Sequence, residues 1–245
     1  MLKAVLFDLG GTLVHYDSAQ ASLKELEKRS IVALHHHLAT NGLMVLPEDT
    51  FLTALRSRVE AEWQMALASQ RGGSVETSVQ AALADLGLSF TDSEWQAARQ
   101  VFYGPIHQAA EPRQGARQTL RTLRDQGVAL GLLSNTFWAA DVHDADLARF
   151  GLLDLLPVRL YSCDMARIKP HPEAFEAALA ALGVEPNETV YVGDRLETDV
   201  EPARRLGLWG VLIAVPFRRE HSDKIMPDAV IAELPELIKL LEPRR

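Results

Sequence analysis

Leu2-Lys3-Ala4-Val5-Leu6-Phe7-Asp8-Leu9-Gly10-Gly11-Thr12-Leu13 is the stretch that decides the fold. Its apolar run is too short for an amphipathic helix and stops at a carboxylate, after which come two glycines and a threonine. That pattern predicts a buried parallel strand that delivers Asp8 to its C-terminal tip. Such tips are where open α/β sheets carry their chemistry. Gly10 and Gly11 let the backbone turn tightly and approach a ligand, and Thr12 can offer a hydroxyl and a backbone N–H to an anion. An ordinary strand-to-loop turn would use the same residues, so the reading needs support from the rest of the chain.

The chain has 245 residues, 47% of them apolar, enough for one large domain or two modest ones with a full core. A net charge of −8 and the absence of a Lys/Arg block argue against nucleic acid or an anionic membrane as partner and favour a small substrate. The single cysteine, Cys163, has no basic neighbour to make a thiolate and forms no pair with metal-site spacing. A reducing, cytoplasmic setting is expected. The N-terminal apolar run lacks the features of a signal peptide, and no run approaches the roughly 18 residues of a membrane span.

From about residue 17 to 110 the pattern is helical. Leu23, Leu26, Ile31, Leu34 and Leu38 form one stripe, Phe51, Leu55, Val59 and Trp63 a second, and Val75, Val79, Leu83 and Leu86 a third. Thr91-Asp92-Ser93-Glu94 is a capping box that opens a fourth helix. Four amphipathic helices bury these faces against one another, which predicts a small bundle. Beyond Pro112 strands and helices alternate. Strands are expected at 128–133, 160–162, 189–192, 211–215 and near 229, with helices before Gly127, from Pro172, across 200–206 and near 241. This implies a parallel sheet covered on both faces, with the bundle inserted after its first strand. The run His35-His36-His37 cannot converge on one ion, because consecutive helical residues point in three directions.

Four strand ends carry polar groups: Asp8 with Thr12, Ser134 with Asn135, Lys169 before Pro170, and Asp194 with Asp199. In a parallel sheet these ends share one edge, so residues scattered in sequence can meet in one crevice. Asp8-Leu9-Gly10-Gly11-Thr12, Leu133-Ser134-Asn135, Lys169-Pro170 and Gly193-Asp194 with Asp199 resemble, in order and spacing, the four motifs of the haloacid dehalogenase (HAD) superfamily. The resemblance implies an α/β fold: a Rossmann-like core of residues 1–16 and 111–245, with 17–110 as a helical cap over the active site. It further implies Mg²⁺-dependent phosphoryl transfer from a small phosphorylated metabolite through an aspartyl-phosphate on Asp8. Asp8, the Gly10 carbonyl and Asp194 would then ligate the metal. Lys169 and Ser134, with Gly11, Thr12 and Asn135, would bind the phosphoryl group, and Asp199 would orient Lys169 or a metal-bound water.

One position departs from the resemblance. Phosphatases of the superfamily usually carry a second aspartate two residues after the nucleophile, and here that residue is Gly10. A backbone carbonyl survives the change, but the general acid/base does not, a loss worth about 10²- to 10⁴-fold in rate. Asp17, His15 and the His35 to His37 segment are the candidate substitutes. Alternatively, the substrates have leaving groups that need little protonation, such as acyl or nitrophenyl phosphates. Two further readings stay open: a weakly active or silent ligand-binding protein of this fold, and a 2-haloacid dehalogenase. Tyr16, Trp63 and Trp138 are candidate liners of the substrate crevice, and the oligomeric state is not legible.

Overall fold

The computed structural model describes residues 1–16, 22–44, 46–215 and 224–242. Strand β1, Ala4–Phe7, is wholly buried, as its unbroken apolar run requires. Successive side chains alternate between faces: Val5 and Phe7 join one core cluster and Leu6 the other. After it come a two-residue strand β2, Val14–His15, and four helices: α1, Leu23–Thr40; α2, Glu48–Ser69; α3, Val75–Asp85; and α4, Asp92–Ala109. The short strand β3, Glu111–Pro112, then pairs antiparallel with β2, so the chain leaves and re-enters the sheet layer through one narrow ribbon.

The remainder alternates: α5, Ala116–Asp125; β4, Ala129–Ser134; α6, Ala140–Arg149; β5, Val158–Tyr161; α7, Pro172–Leu182; β6, Thr189–Gly193; α8, Glu201–Arg205; β7, Trp209–Ile213; β8, Ala229–Ile231; and α9, Glu236–Leu241. The six long strands form one parallel sheet in the order β5-β4-β1-β6-β7-β8. From β1 the chain steps outward to β4 and β5 and then crosses back to lay β6, β7 and β8 on the other side of β1, so the crevice outside the C-terminal ends of β1, β4 and β6 is the topological switch point of the sheet. Helices cover both faces. Ala174, Phe175, Ala178 and Leu179 of α7 pack on Leu6, Leu133 and Tyr191, while Leu120 and Leu123 of α5 and Leu237 and Leu241 of α9 belong to the other cluster.

The inserted helices follow the sequence pattern except at Leu23, which opens α1 and is exposed, beyond the reach of the stripe that starts at Leu26. Leu26, Ile31, Leu34 and Leu38 are buried on α1, and Phe51, Leu55 and Val59 on α2. The Thr91 hydroxyl accepts from the Glu94 N–H, and the Glu94 carboxylate accepts from the Thr91 N–H, so the capping box is complete. The apolar faces of these helices are continuous with the cluster beneath the sheet. No helix among the described residues is long and apolar enough to cross a membrane.

Between α2 and α3 the chain dips onto the sheet layer. Gln70 ends α2 at φ 50°, and its carbonyl accepts from the Ile168 N–H at 3.2 Å, next to Lys169. Gly72 lies flat on the loop after β5: a Cβ there would fall 2.0 Å from the Met165 carbonyl oxygen and 2.3 Å from that of Ser162. No side chain fits such a contact, and backbone cannot yield as a flexible side chain can. Gly72→Ala is therefore expected to destabilise the protein by about 1–3 kcal/mol, read as a lower urea midpoint at unchanged m-value. An unaltered midpoint would mean that the loop does not hold this contact in solution.

Candidate active site

Asp8, Ser134, Lys169, Asp194 and Asp199 all lie at the C-terminal edge of the sheet, and all are buried. β1 places Asp8, β4 ends at Ser134, and Asp194 follows β6. Asp199 sits in a π-helical turn, Leu196–Val200, that leads into α8. Gly193 allows that turn to close, since a Cβ there would lie 2.5 Å from the Asp199 Cβ.

The Lys169 ammonium is the hub. It donates to Asp8 Oδ1 at 2.7 Å, to Asp199 Oδ1 at 2.6 Å and to the Tyr191 hydroxyl at 2.7 Å. Ser134 donates to the same Asp8 Oδ1 at 3.0 Å, so one carboxylate oxygen is held by two donors and the group cannot rotate freely. Burial works against the Lys169 charge, but the Asp199 and Asp8 carboxylates outweigh it and hold its pKa above the ordinary lysine value. Burial raises the Asp199 carboxyl, and the attraction of Lys169, partly countered by repulsion from Asp8, does not bring it back to the ordinary value.

Carboxylate oxygens of Asp8, Asp194 and Asp199 lie within 4.8 Å of one another. Three buried acids face one ammonium, with the buried Arg113 close enough to act on Asp194. That set is short of positive charge and made wholly of oxygen donors, which suits a hard divalent cation of the Mg²⁺ type.

Several expected phosphate contacts are arranged differently. The Gly11 N–H donates to the Val14 carbonyl at 2.8 Å and the Thr12 N–H to the Leu9 carbonyl at 3.2 Å, so the turn itself consumes both. The Thr12 hydroxyl is buried without a hydrogen-bond partner. Asn135 is engaged with the Lys169 peptide: its amide donates to the Lys169 carbonyl at 2.6 Å and its Oδ1 accepts from the Lys169 N–H at 3.0 Å. Asn135 therefore grips the loop that carries the lysine. A Cβ at Gly10 would meet no atom of the described residues within 4 Å, and its φ is not positive.

A cavity of about 340 Å³ opens beside Gly10 and Ser134. The rings of Tyr16, Trp63, Phe137, Trp138 and His143 line it, together with the aliphatic Leu9, Leu23, Val59 and Val75 and with Lys24, Glu27, Glu60 and Gln64 of α1 and α2. Neither His15 nor any of His35 to His37 lines it. His35 Nε2 is 2.9 Å from the Leu46 carbonyl, His36 is exposed beside Glu48, and His37 contacts Asn41. Asp17 lies outside the described residues.

Two groups of this site carried no flag in the sequence. Tyr191 reads as one more buried residue of an apolar strand, yet its hydroxyl reaches Lys169 and donates to the Leu133 carbonyl at 2.9 Å. Arg113 lies just inside the expected core segment, which begins at residue 111. Its guanidinium donates to the carbonyls of Gly11 at 2.6 Å, Ala214 at 2.6 Å and Ala232 at 2.8 Å, tying the Asp8 loop to the ends of β7 and β8.

A family model for haloacid dehalogenase-like hydrolases matches residues 2–207. The chain belongs to the haloacid dehalogenase-like hydrolases. It is 28% identical to glyceraldehyde 3-phosphate phosphatase of Pyrococcus furiosus over 98% of this chain and 93% of that one. With phosphoglycolate phosphatase of Rhodospirillum rubrum it shares 31% identity over 90% of this chain and 83% of the relative. Two other curated relatives are matched over only 60% and 54% of their own length. The solved 2-haloacid dehalogenase of Pseudomonas syringae pv. Tomato superposes with a TM-score of 0.73 at 25% identity, covering 100% of both chains.

His143 is the most perturbed base beside this cavity. Its Nδ1 is 2.9 Å from the Tyr16 hydroxyl and its Nε2 is 2.7 Å from the Thr136 hydroxyl, and burial pushes its pKa down to about 3. The folded protein thus refuses a proton that the unfolded chain accepts from about pH 6.5 downward. Stability from this group is complete above that pH and is lost progressively as pH falls toward 3. A His143→Gln variant is expected to show a flatter melting-temperature profile across this window. Parallel profiles for the two proteins would assign acid lability to other groups.

Proposed function

We propose that this HAD-family protein is a Mg²⁺-dependent phosphohydrolase acting on a small phosphorylated metabolite through an aspartyl-phosphate on Asp8. The observation that carries the reading is the convergence of Lys169 and Ser134 on one oxygen of Asp8, beside two further buried carboxylates. A phosphate monoester and an attacking carboxylate repel, so the site must supply positive charge before they meet. Asp8 and Asp194, with the Gly10 carbonyl, would hold Mg²⁺, which lends positive charge to the phosphoryl oxygens when bound.

Asp8 forms the new bond to phosphorus. Lys169 offsets charge on the nucleophile and the phosphoryl group, and Ser134 donates a hydrogen bond that fixes both in line. Asp199 and Tyr191 hold the ammonium in place, and Asn135 holds its backbone. In this reading residues 17–110 act as the cap that closes the crevice, with residues 1–16 and 111–245 as the catalytic core. Full-length similarity to a glyceraldehyde 3-phosphate phosphatase and a phosphoglycolate phosphatase supports the reaction class.

A second reading, a 2-haloacid dehalogenase, is favoured by the missing acid at Gly10 and by the superposition on such an enzyme. Halide leaves without a proton. Against it, displacement at carbon has no use for the cluster of Asp194 with Asp199 and Asp8, an arrangement suited to a cation. A silent binder of phosphorylated ligands is the third possibility that the loss at Gly10 opens.

One set of assays separates the three. Phosphate release from acetyl phosphate is expected to need Mg²⁺, to stop with EDTA and to be lost in Asp8→Asn. Metal-independent halide release from a 2-haloacid would overturn the reading in favour of the second. Because a side chain fits at position 10, Gly10→Asp is expected to raise turnover of alkyl phosphates by about 10²- to 10⁴-fold. A native protein inert on every phosphate ester, with activity appearing only in Gly10→Asp, would establish the silent form.

A further inference from the structure

The cavity next to Gly10 has among its lining residues five rings drawn from three separate parts of the chain. Trp63 comes from α2, Tyr16 from the segment after β2, and Phe137, Trp138 and His143 from the turn after β4 and from α6. They are packed on one another. Trp63 and Phe137 have centroids 5.2 Å apart, Tyr16 meets Trp138 edge-on at 5.4 Å, and Trp138 stacks on His143 at 5.8 Å. Trp63 and Trp138 keep part of their surface open, although both could have been buried in the adjoining core. The His143 ring is neutral and engaged at both nitrogens, so it adds a flat surface here, with neither a charge nor a free proton.

The second observation is independent of the first. Position 10 itself supplies no acid to the departing oxygen, and a Cβ built there would meet no atom of the described residues within 4 Å. An alkoxide leaves badly without a proton; an oxygen conjugated to a ring leaves far more easily, because the ring spreads its charge. Phenol-type hydroxyls ionise near pKa 10. A volume of about 340 Å³ is at the small end of ligand sites, which span roughly 300–1,000 Å³, and suits a single ring system.

We infer that the substrate is a phosphate monoester of a planar aromatic hydroxyl, whose ring stacks against Trp63 and Trp138 while its phosphate meets Asp8. This rests on the phosphohydrolase reading and names its substrate class. The Asp8 carboxylate forms an O–P bond as the P–O(aryl) bond breaks. The electron pair leaves on the ring oxygen as an aryloxide, which takes its proton from solvent. Water then attacks the acyl phosphate, restoring the carboxylate and releasing inorganic phosphate, with the remaining proton passing to solvent. Rings are held by offset or edge contacts with other rings, so the tryptophans select for flatness. Lys24, Glu27, Glu60 and Gln64 also line the cavity and offer hydrogen bonds to polar substituents on the ring.

The test is a substrate series assayed with Mg²⁺: phenyl phosphate, nitrophenyl phosphate, glycerol phosphate and acetyl phosphate. We expect kcat/KM for phenyl phosphate to exceed that for glycerol phosphate by about 10²- to 10⁴-fold, the range a general acid would otherwise supply. Among aryl phosphates the rate should fall steeply as leaving-group pKa rises. Trp63→Leu and Trp138→Leu should each lower the phenyl-to-acetyl phosphate ratio by about 2- to 12-fold. Acetyl phosphate separates the two failures. If it too is inert, the phosphohydrolase reading fails; if it is hydrolysed but phenyl and glycerol phosphates turn over alike, only the aromatic substrate is overturned. A flat dependence on leaving-group pKa that steepens in Glu27→Gln would overturn it as well, by giving the acid role to Glu27.

Discussion

The site depends on one buried ammonium. Lys169 is almost wholly shielded from water, and a charge so placed is tolerable only where opposite charges and hydrogen-bond acceptors replace its hydration. Asp8, Asp199 and Tyr191 do so at 2.6–2.7 Å. The arrangement then carries the opposite imbalance, since three acids share a small volume with one amine and the more distant Arg113. A cation is the natural partner of that set, and a phosphate dianion can enter only after the balance is corrected. The proposed nucleophile and the proposed metal therefore rest on one electrostatic constraint.

The two ends of the reaction are built to different standards. On the side of the nucleophile every group is tied down: Asp8 by Ser134 and Lys169, the lysine side chain by Asp199 and Tyr191, and its backbone by Asn135. On the side of the leaving group there is glycine, open space and a wall of rings. Binding energy from a flat surface cannot replace a proton donor, but it can choose substrates that do not need one. Gly72, seated on the loop between Ser162 and Met165, brings the inserted helices close enough for Trp63 to reach that wall.

How much of this could be read from the chain depends on whether a feature is local. The strand before Asp8, the capping box at Thr91 and the glycine-marked ends of helices are written in a few consecutive residues, and they are found where expected. Asp8, Ser134, Lys169, Asp194 and Asp199 were legible because a parallel sheet brings all strand tips to one edge whatever lies between them. Tyr191 was not, because an aromatic residue in an apolar strand reads as packing, and only the tilt of its ring past Leu133 shows where the hydroxyl goes. Helix α6 leaves little trace in the sequence for a related reason. His143 and Asp146 occupy its buried face and break the apolar stripe that would have announced it. The internal use of the Gly11 and Thr12 N–H groups was likewise hidden, since it depends on how tightly the turn closes.

The gap at Gly10 weighs unequally on the two halves of the proposed reaction. A carboxyl group there would protonate the departing oxygen and then, as a carboxylate, take a proton from the water that attacks the acyl phosphate. An aromatic leaving group compensates for the first loss, because the aryloxide is stable without a proton. It cannot compensate for the second, since by then it has left and the intermediate is the same for every substrate. Hydrolysis of the phosphorylated Asp8 therefore falls to groups that remain in place, and Asp194 and Asp199 are the carboxylates nearest to it among the described residues. Asp199 is bound to Lys169 and to the Arg195 N–H at 3.1 Å, which commits both of its oxygens. The proposed reaction is thus pushed toward fast formation and slow breakdown of the acyl phosphate, an asymmetry set by a single missing side chain.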